Sequence, residues 1–314
     1  MIDATLGEGG AANAFLSRFP DLSLVGIDAD ADILAVARER LSCFSDRVTF
    51  HRGWSQDFFA NYPAGLPRPN AILADLGVSV FHYTKSGRGF AFSPRVSRRG
   101  SAAGRTHESE ADASQPLDMR IDPTAGVPAS RLLATMSEKE IADMLFANAG
   151  ERYSRRIARA IVQARGGGGI ETSAALSDLV WQAVPAAYRH GAIHPATRTF
   201  MALRIATNGE LTGLSDTLEG FFRVLKLGGR LGIITFHSLE DRVVKRFFQK
   251  KSAKCACPPG VPLCRCGGAS ARLLTRKGLT ADADEIERNP PSRSARLRVA
   301  EKIRDEGVED EKTL

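Results

Sequence analysis

No stretch of this 314-residue chain approaches the ~18 consecutive apolar residues that a bilayer-spanning helix requires, so a membrane span is not expected. A secretory leader is not expected either, because residues 1–6 read directly as a strand. Cysteine is scarce and unevenly placed: of five, Cys43 stands alone and the others fall between Cys255 and Cys266. That crowding argues against a disulfide framework and for a cytosolic protein. No full GxGxxG is present, which counts against a dinucleotide ligand, and no internal repeat is visible. Most informative is a missing sign of charge. From Arg242 to Gly278 there is no Asp or Glu, against ten Lys and Arg residues.

What is present suits one large domain, or one domain with an insertion. Hydrophobic residues make up 43% of the chain, enough for a substantial core. The net charge of +7 and the pI near 9.3 favour an anionic partner, nucleic acid above all. Short apolar segments at 1–6, 22–28, 48–52 and 71–76 alternate with amphipathic segments at 11–19 and 31–41. Strand-helix alternation of this kind predicts parallel βαβ units and a doubly wound α/β sheet, resumed at 230–236. Residues 93–114 are rich in Ser, Arg, Ala and Gly without apolar periodicity, and are expected to be a disordered loop. Helical patterning then takes over. Ser137 with Glu140 marks one helix start, 151–165 forms a second helix and 172–184 a third. One long helix is expected over 197–227. The predicted organisation is an α/β domain at 1–127, an inserted helical subdomain at 128–195, and the rest of the α/β domain at 196–314. The last part carries a basic, Cys-rich loop at 250–278.

The first strand leads into Asp3-Ala4-Thr5-Leu6-Gly7-Glu8-Gly9-Gly10, a glycine-rich turn ahead of a helix. Glycines let backbone approach a ligand closely, and a helix N-terminus offers N–H donors. Asp28 ends the second strand, where an acid can accept both ribose hydroxyls. These features suit a nicotinamide cofactor as well as S-adenosylmethionine, and a tight structural turn with a solvated Asp28 is the plainer alternative.

Later segments are more specific: Asp75-Leu76-Gly77-Val78-Ser79, Arg88-Gly89-Phe90, Pro116-Leu117-Asp118-Met119-Arg120, His194-Pro195-Ala196-Thr197-Arg198-Thr199-Phe200, Phe236-His237-Ser238-Leu239-Glu240-Asp241-Arg242, and Asn289-Pro290 through Ser294. In this order the sequence resembles the bacterial small-subunit rRNA cytosine-N(4) methyltransferases, over almost its whole length. The resemblance implies a Rossmann-like class I methyltransferase domain with a helical insertion. It implies S-adenosylmethionine as cofactor and the exocyclic amine of a cytosine in the decoding region of small-subunit rRNA as substrate. It also places Gly9, Gly10, Ala11, Asp28, Trp54, Asp75 and His82 on cofactor-contacting positions. The family usually has His where Ala11 stands and Gln where His82 stands; neither change removes a backbone contact. The 93–114 segment exceeds the family's usual link. Family members also carry a segment ahead of the first strand, which implies a misassigned start or the loss of a piece that covers the cofactor.

A cytosine amine is a poor nucleophile, because its lone pair is delocalised into the ring, whereas a sulfonium methyl is highly reactive. Such an enzyme needs alignment more than strong base catalysis. Asp75, at the end of the fourth strand, is the expected acceptor for the amine, unless it serves the cofactor alone. Phe81, Phe90, Phe236 and His237 are candidates to stack on a base drawn from its stack, or else core residues. Arg120, Arg198, His237, Arg242, Lys250, Lys251 and Lys254 are the expected RNA contacts, with a further stripe at Arg152, Arg155, Arg156 and Arg159. Both basic stretches have an ordinary solvated face as the plainer reading. Cys255, Cys257, Cys264 and Cys266 suit a tetrahedral structural zinc, against a reduced flexible loop. The competing functions are a nicotinamide oxidoreductase, which leaves the basic run unexplained, and a non-catalytic ribosome-assembly factor on the same fold. Either a monomer or a homodimer is compatible with the sequence.

Overall fold

The computed structural model describes residues 1–92, 115–191, 193–255 and 268–306. In chain order the first elements are β1 (Ile2–Asp3), α1 (Gly10–Arg18), β2 (Leu24–Asp28), α2 (Ala31–Arg40), β3 (Val48–Arg52), α3 (Ser55–Ala60) and β4 (Ala71–Asp75). Helices follow: α4 (Val80–Thr84), α5 (Ala129–Thr135), α6 (Glu138–Ala149), α7 (Ser154–Ala164), α8 (Ser173–Ala183), α9 (Ala186–Arg189), α10 (Ala196–Asn208) and α11 (Leu214–Val224). The chain then returns through β5 (Arg230–Thr235), α12 (Ser238–Lys251), β6 (Ala271–Leu273), β7 (Leu279–Thr280), α13 (Ala283–Arg288) and β8 (Arg296–Lys302). Among the described residues no helix is long and apolar enough to cross a membrane. The expected loop at 93–114 lies outside the described residues.

Two compact units emerge, one of Met1–Gly77 with Leu211–Leu314, the other Val78–Glu210. The boundaries expected from the sequence are 128 and 195. The helical unit takes in residues on both sides of those limits. Met119 N–H donates to the Arg88 carbonyl, Leu117 N–H to Glu171, and the Asn208 amide to Met119, binding Arg88 and the 117–119 segment into the same body as the helices.

The first unit is the doubly wound sheet, in strand order β3-β2-β1-β4-β5-β8-β6 with β7 beside β8. Strands β1 to β5 are parallel, and β8 runs antiparallel to β5. Alternation along the strands feeds two separate cores, as a sheet covered on both faces requires. Leu24 packs with Leu16, Leu34 and Leu41 of the α1–α2 layer. Ile27, Ile72 and Ile233 instead pack with Phe59, Phe221, Phe222, Phe247 and Phe248 of the α3, α11 and α12 layer. Lys302 is buried and donates to the carbonyls of Phe222, Arg223 and Leu225, satisfying the last turn of α11.

The expected long helix over 197–227 is a correction: it is two helices. Gly209 ends α10 at φ 61°, with its N–H returned to the Ile205 carbonyl, and Gly213 starts α11 at φ 73°. Both conformations are left-handed, where glycine is favoured, and a Cβ at Gly213 would stand 2.9 Å from the Gln56 side chain. The second unit, by itself, is a helical bundle in which α6 packs on α7 and α10. Its α6 starts at the expected capping box of Ser137 and Glu140.

Candidate active site

In the sheet unit, strand order reverses between β1 and β4, and open α/β sheets bind ligands at the carboxyl ends of the strands at that point. The glycine-rich turn occupies this edge. Gly9 adopts φ 78° as the N-cap of α1 and no side chain caps the helix, so its first N–H groups face the edge. Gly10 and Ala11 are exposed there. Asp28 is fixed to the turn: its Oδ2 accepts the Gly7 N–H at 2.9 Å and its Oδ1 accepts the Asp30 N–H at 3.0 Å. These bonds fix the carboxylate at the end of β2, the position from which an acid takes ribose hydroxyls. The Asp28 carbonyl also accepts the Gly53 N–H at 2.9 Å, which seats Trp54, half-buried, on the next residue. Five of the expected cofactor residues, Gly9, Gly10, Ala11, Asp28 and Trp54, therefore share one edge.

Acids dominate that edge. Asp3, at the end of β1, is 2% exposed, and burial pushes its carboxyl up to about 7, with smaller contributions from Asp75 and Asp28. The Asp75 carboxyl at the end of β4 opens to solvent. The protein packed behind it, and then the Glu240 carboxylate, raise it to about 7. Asp75 is held by its backbone: its N–H donates to Thr5 Oγ1 at 2.6 Å, and the next N–H, of Leu76, donates to the Ile234 carbonyl at 2.9 Å. Glu240 is buried at the start of α12, where its Oε2 accepts the N–H groups of Phe236 at 3.0 Å and His237 at 3.3 Å. His237 completes the capping box by accepting the Glu240 N–H on Nδ1, and its Nε2 lies 3.0 Å from Glu240 Oε1. Asp3 and Glu240 carry no expected role among the sequence motifs that contain them. Their signal was an acid at a strand end and an acid three residues after the β5 turn.

The remaining expected residues divide between the units. His82, Arg120 and Arg198 belong to the helical unit, as do Phe81 and Phe90. His82 is buried with its ring 5.0 Å from Phe90. Arg120 makes a two-pronged pair with Asp118 at 2.8 and 2.7 Å, which commits its guanidinium to the loop that carries it. In the sheet unit, Arg242, Lys245, Arg246 and Lys250 are exposed on α12 at helical spacing, and Lys254 is exposed just beyond. Lys251 is a correction. It is 6% exposed, its ammonium meets Glu219 at 2.6 Å and pairs with Glu306, and it stands over the Phe222 and Phe247 rings. Its charge is committed inside the fold and is not offered to RNA. Replacing Arg242, Lys245 and Arg246 together by Glu should weaken RNA binding and reduce the log–log salt slope by about 2, the scale for three lost phosphate contacts to a single strand. Binding isotherms at several salt concentrations check this, and an unaltered slope would place α12 off the RNA path. Of the four expected zinc ligands, Cys255 is exposed, while Cys257, Cys264 and Cys266 lie outside the described residues.

The sequence model of the MraW methylase family matches residues 1–97 and 109–303. The chain belongs to this family. A relative from Treponema denticola, named ribosomal RNA small subunit methyltransferase H, is 50% identical over 304 residues, spanning 96% of this chain and 90% of that one. A relative of the same name from Syntrophobacter fumaroxidans is 42% identical over 308 residues, spanning 96% and 89%. Among solved structures, an rRNA methylase from Streptococcus thermophilus overlaps over 96% of this chain and 86% of that one. Its TM-score of 0.36 and 11% identity are too weak an overlap to argue from. With the family in place, the open sheet is that of a Rossmann-like class I methyltransferase.

Proposed function

We propose that this protein transfers a methyl group from S-adenosylmethionine to the exocyclic amine of a cytosine in the decoding region of small-subunit rRNA, in the cytoplasm. The family and the names of its relatives support the reaction class and the rRNA substrate. The observation that carries the cofactor is the set of carboxylates, Asp3, Asp28, Asp75 and Glu240, gathered at the carboxyl edge of one sheet around a glycine turn that ends on exposed Gly10 and Ala11. An acidic edge favours a cationic ligand and repels the pyrophosphate of a nicotinamide dinucleotide. The residues present fit S-adenosylmethionine. The backbone of Gly9, Gly10 and Ala11 would hold it, Asp28 would take its ribose hydroxyls, and Trp54 would flank its adenine. When bound, the cofactor supplies an electrophilic methyl group on sulfur. Asp75 fixes the target amine and accepts its hydrogen bond as positive charge develops on nitrogen.

Calorimetry comparing S-adenosylmethionine with NAD tests the cofactor, and Asp28→Ala is expected to weaken S-adenosylmethionine by about 1.5–3 kcal/mol, the scale of a charge-assisted hydrogen bond. Nucleoside analysis of small-subunit rRNA tests the reaction: cells lacking the protein should lose N(4)-methylated cytidine. Binding of NAD alone, or an unchanged nucleoside profile, would overturn the proposal. Full S-adenosylmethionine binding with no turnover on purified subunits would favour the assembly-factor reading.

A further inference from the structure

The helical unit carries a second chemistry-bearing surface, remote in sequence from the glycine turn. Glu151 is 0% exposed, so its carboxylate must be fully satisfied by neighbours. Its Oε1 accepts the Tyr153 N–H at 2.8 Å and its Oε2 accepts the Tyr188 hydroxyl at 3.1 Å, drawing together the N-terminus of α7 and the short helix α9. The two half-buried tyrosine rings meet edge to face, with centroids 4.8 Å apart. The exposed Arg152 guanidinium lies over both rings, at 5.1 and 4.9 Å from their centroids. Arg198 at the start of α10 reaches the same Tyr188 hydroxyl, 3.4 Å from its Nη1. A buried carboxylate thus fixes a face made of two phenol rings and two guanidinium groups.

Next to this face, α7 continues with exposed Arg155 and Arg156, while Ile157, Ala158 and Ile161 turn into the core. Among the described residues, the only arginine of this stripe with a carboxylate within 4 Å is Arg159, which lies 3.6 Å from Glu138. An ordinary solvated helix face mixes signs; here the one acid of the 151–159 segment is buried and spent on the tyrosines.

We propose that Arg152, Tyr153, Arg155, Arg156, Tyr188 and Arg198 form a platform for a single-stranded segment of the rRNA substrate. The proposal rests on the rRNA-methyltransferase reading and names a surface for it. The guanidinium groups neutralise phosphates, and the Arg–Tyr face offers planes on which an unstacked base can lie. The pairing of flat aromatic surface with guanidinium selects RNA over an acidic peptide, which has charge but no planar face. Stacking also selects single strands over duplex, whose bases are already stacked. A target cytosine that leaves its stack exposes neighbours of this kind.

The test uses the full chain without cofactor and a fluorescein-labelled single-stranded RNA of decoding-region sequence, titrated at several salt concentrations. The same RNA as a duplex, and polyglutamate, are the comparison ligands. Arg155→Ala with Arg156→Ala, both at exposed positions, should weaken single-strand binding about 10-fold and lower the salt slope by about 1.4. Tyr188→Leu should weaken it about 5- to 20-fold with the slope unchanged. Tyr188→Phe keeps the ring but loses the hydroxyl that Glu151 holds, and should bind between wild type and Tyr188→Leu; circular dichroism of all three variants reports folding. An unchanged affinity and slope in the arginine variant overturns the platform, whatever Tyr188→Leu does. Polyglutamate bound as tightly as single-stranded RNA would replace RNA with an acidic protein partner. Calorimetry with S-adenosylmethionine on the same variants keeps this test separate from the enzymatic reading, because the cofactor site is built from other residues.

Discussion

Asp75→Asn is expected to reduce single-turnover methyl transfer on the order of 10²-fold, with S-adenosylmethionine affinity changed far less. The reason is placement as much as charge. Asp75 is the last residue of β4, beside the turn that follows β1, and hydrogen bonds from its own N–H and that of Leu76 hold the strand end against Thr5 and Ile234. The carboxyl is thus set by a rigid backbone, which a positioning role demands. Asn keeps one acceptor oxygen at the same place but loses the charge that stabilises a nitrogen becoming positive.

The role also has a pH signature. The Asp75 carboxyl is raised to about 7, by the protein packed behind it and then by Glu240, so it gains a proton as pH falls through that value. A protonated carboxyl is a poorer acceptor, and the wild-type rate should therefore decline on the acid side, while Asp75→Asn shows no such limb. A bound sulfonium cation lowers the carboxyl's pKa, so with saturating cofactor the decline shifts below pH 7. Rapid-quench transfer to purified small subunits at pH 6 and pH 8, with cofactor in excess, measures both effects. A variant that recovers the wild-type rate at saturating S-adenosylmethionine would show that Asp75 only holds the cofactor, and alignment would then fall to backbone groups.

The sheet was legible because its strands are short apolar runs closed by turn residues. The 48–52 segment is bounded as read, and 22–28 and 71–76 shorten only at their ends, to Leu24–Asp28 and Ala71–Asp75. Local pattern sufficed where local chemistry decides, as at the Ser137–Glu140 capping box. It failed where a distant neighbour decides. The apolar periodicity across 197–227 continues through Gly209 and Gly213, and only their left-handed backbone reveals two helices. Lys251 belongs by composition to the basic run, but Glu219 and Glu306, 32 and 55 positions away in sequence, turn it inward. The arginine stripe of α7 was visible as a stripe. What fixes its aromatic partner is Glu151 reaching Tyr188, 37 residues on, and no spacing rule marks that contact.

Asp3→Asn is expected to make the cofactor-free protein more stable at pH 8 than wild type and to remove a slope from its stability profile. Asp3 is buried, and its carboxyl sits at about 7, against an ordinary value of 3.8 in the unfolded chain. Between those values the folded protein binds a proton that the unfolded chain has released. Stability therefore falls as pH rises from about 4 through 7, and the cost is fully present above 7. A shift of this size corresponds to on the order of 4 kcal/mol for a single group. Asn cannot ionise and retains the acceptor that Thr5 N–H uses, so the Asp3 contribution to the slope should vanish and leave the smaller slope carried by Asp75 and the other carboxyls. Urea unfolding at pH 5 and pH 8 measures the difference; parallel profiles for the two proteins would show that Asp3 does not carry it. The same substitution should weaken S-adenosylmethionine, because a buried carboxylate that destabilises the empty fold is stabilised by a cation placed beside it. Binding of the cationic cofactor near pH 7 is then accompanied by proton release, and binding of its uncharged-sulfur product by much less. Calorimetry in buffers of different ionisation enthalpy reads that release directly. Equal proton release for cofactor and product would show that the acids at this edge do not sense the sulfonium charge.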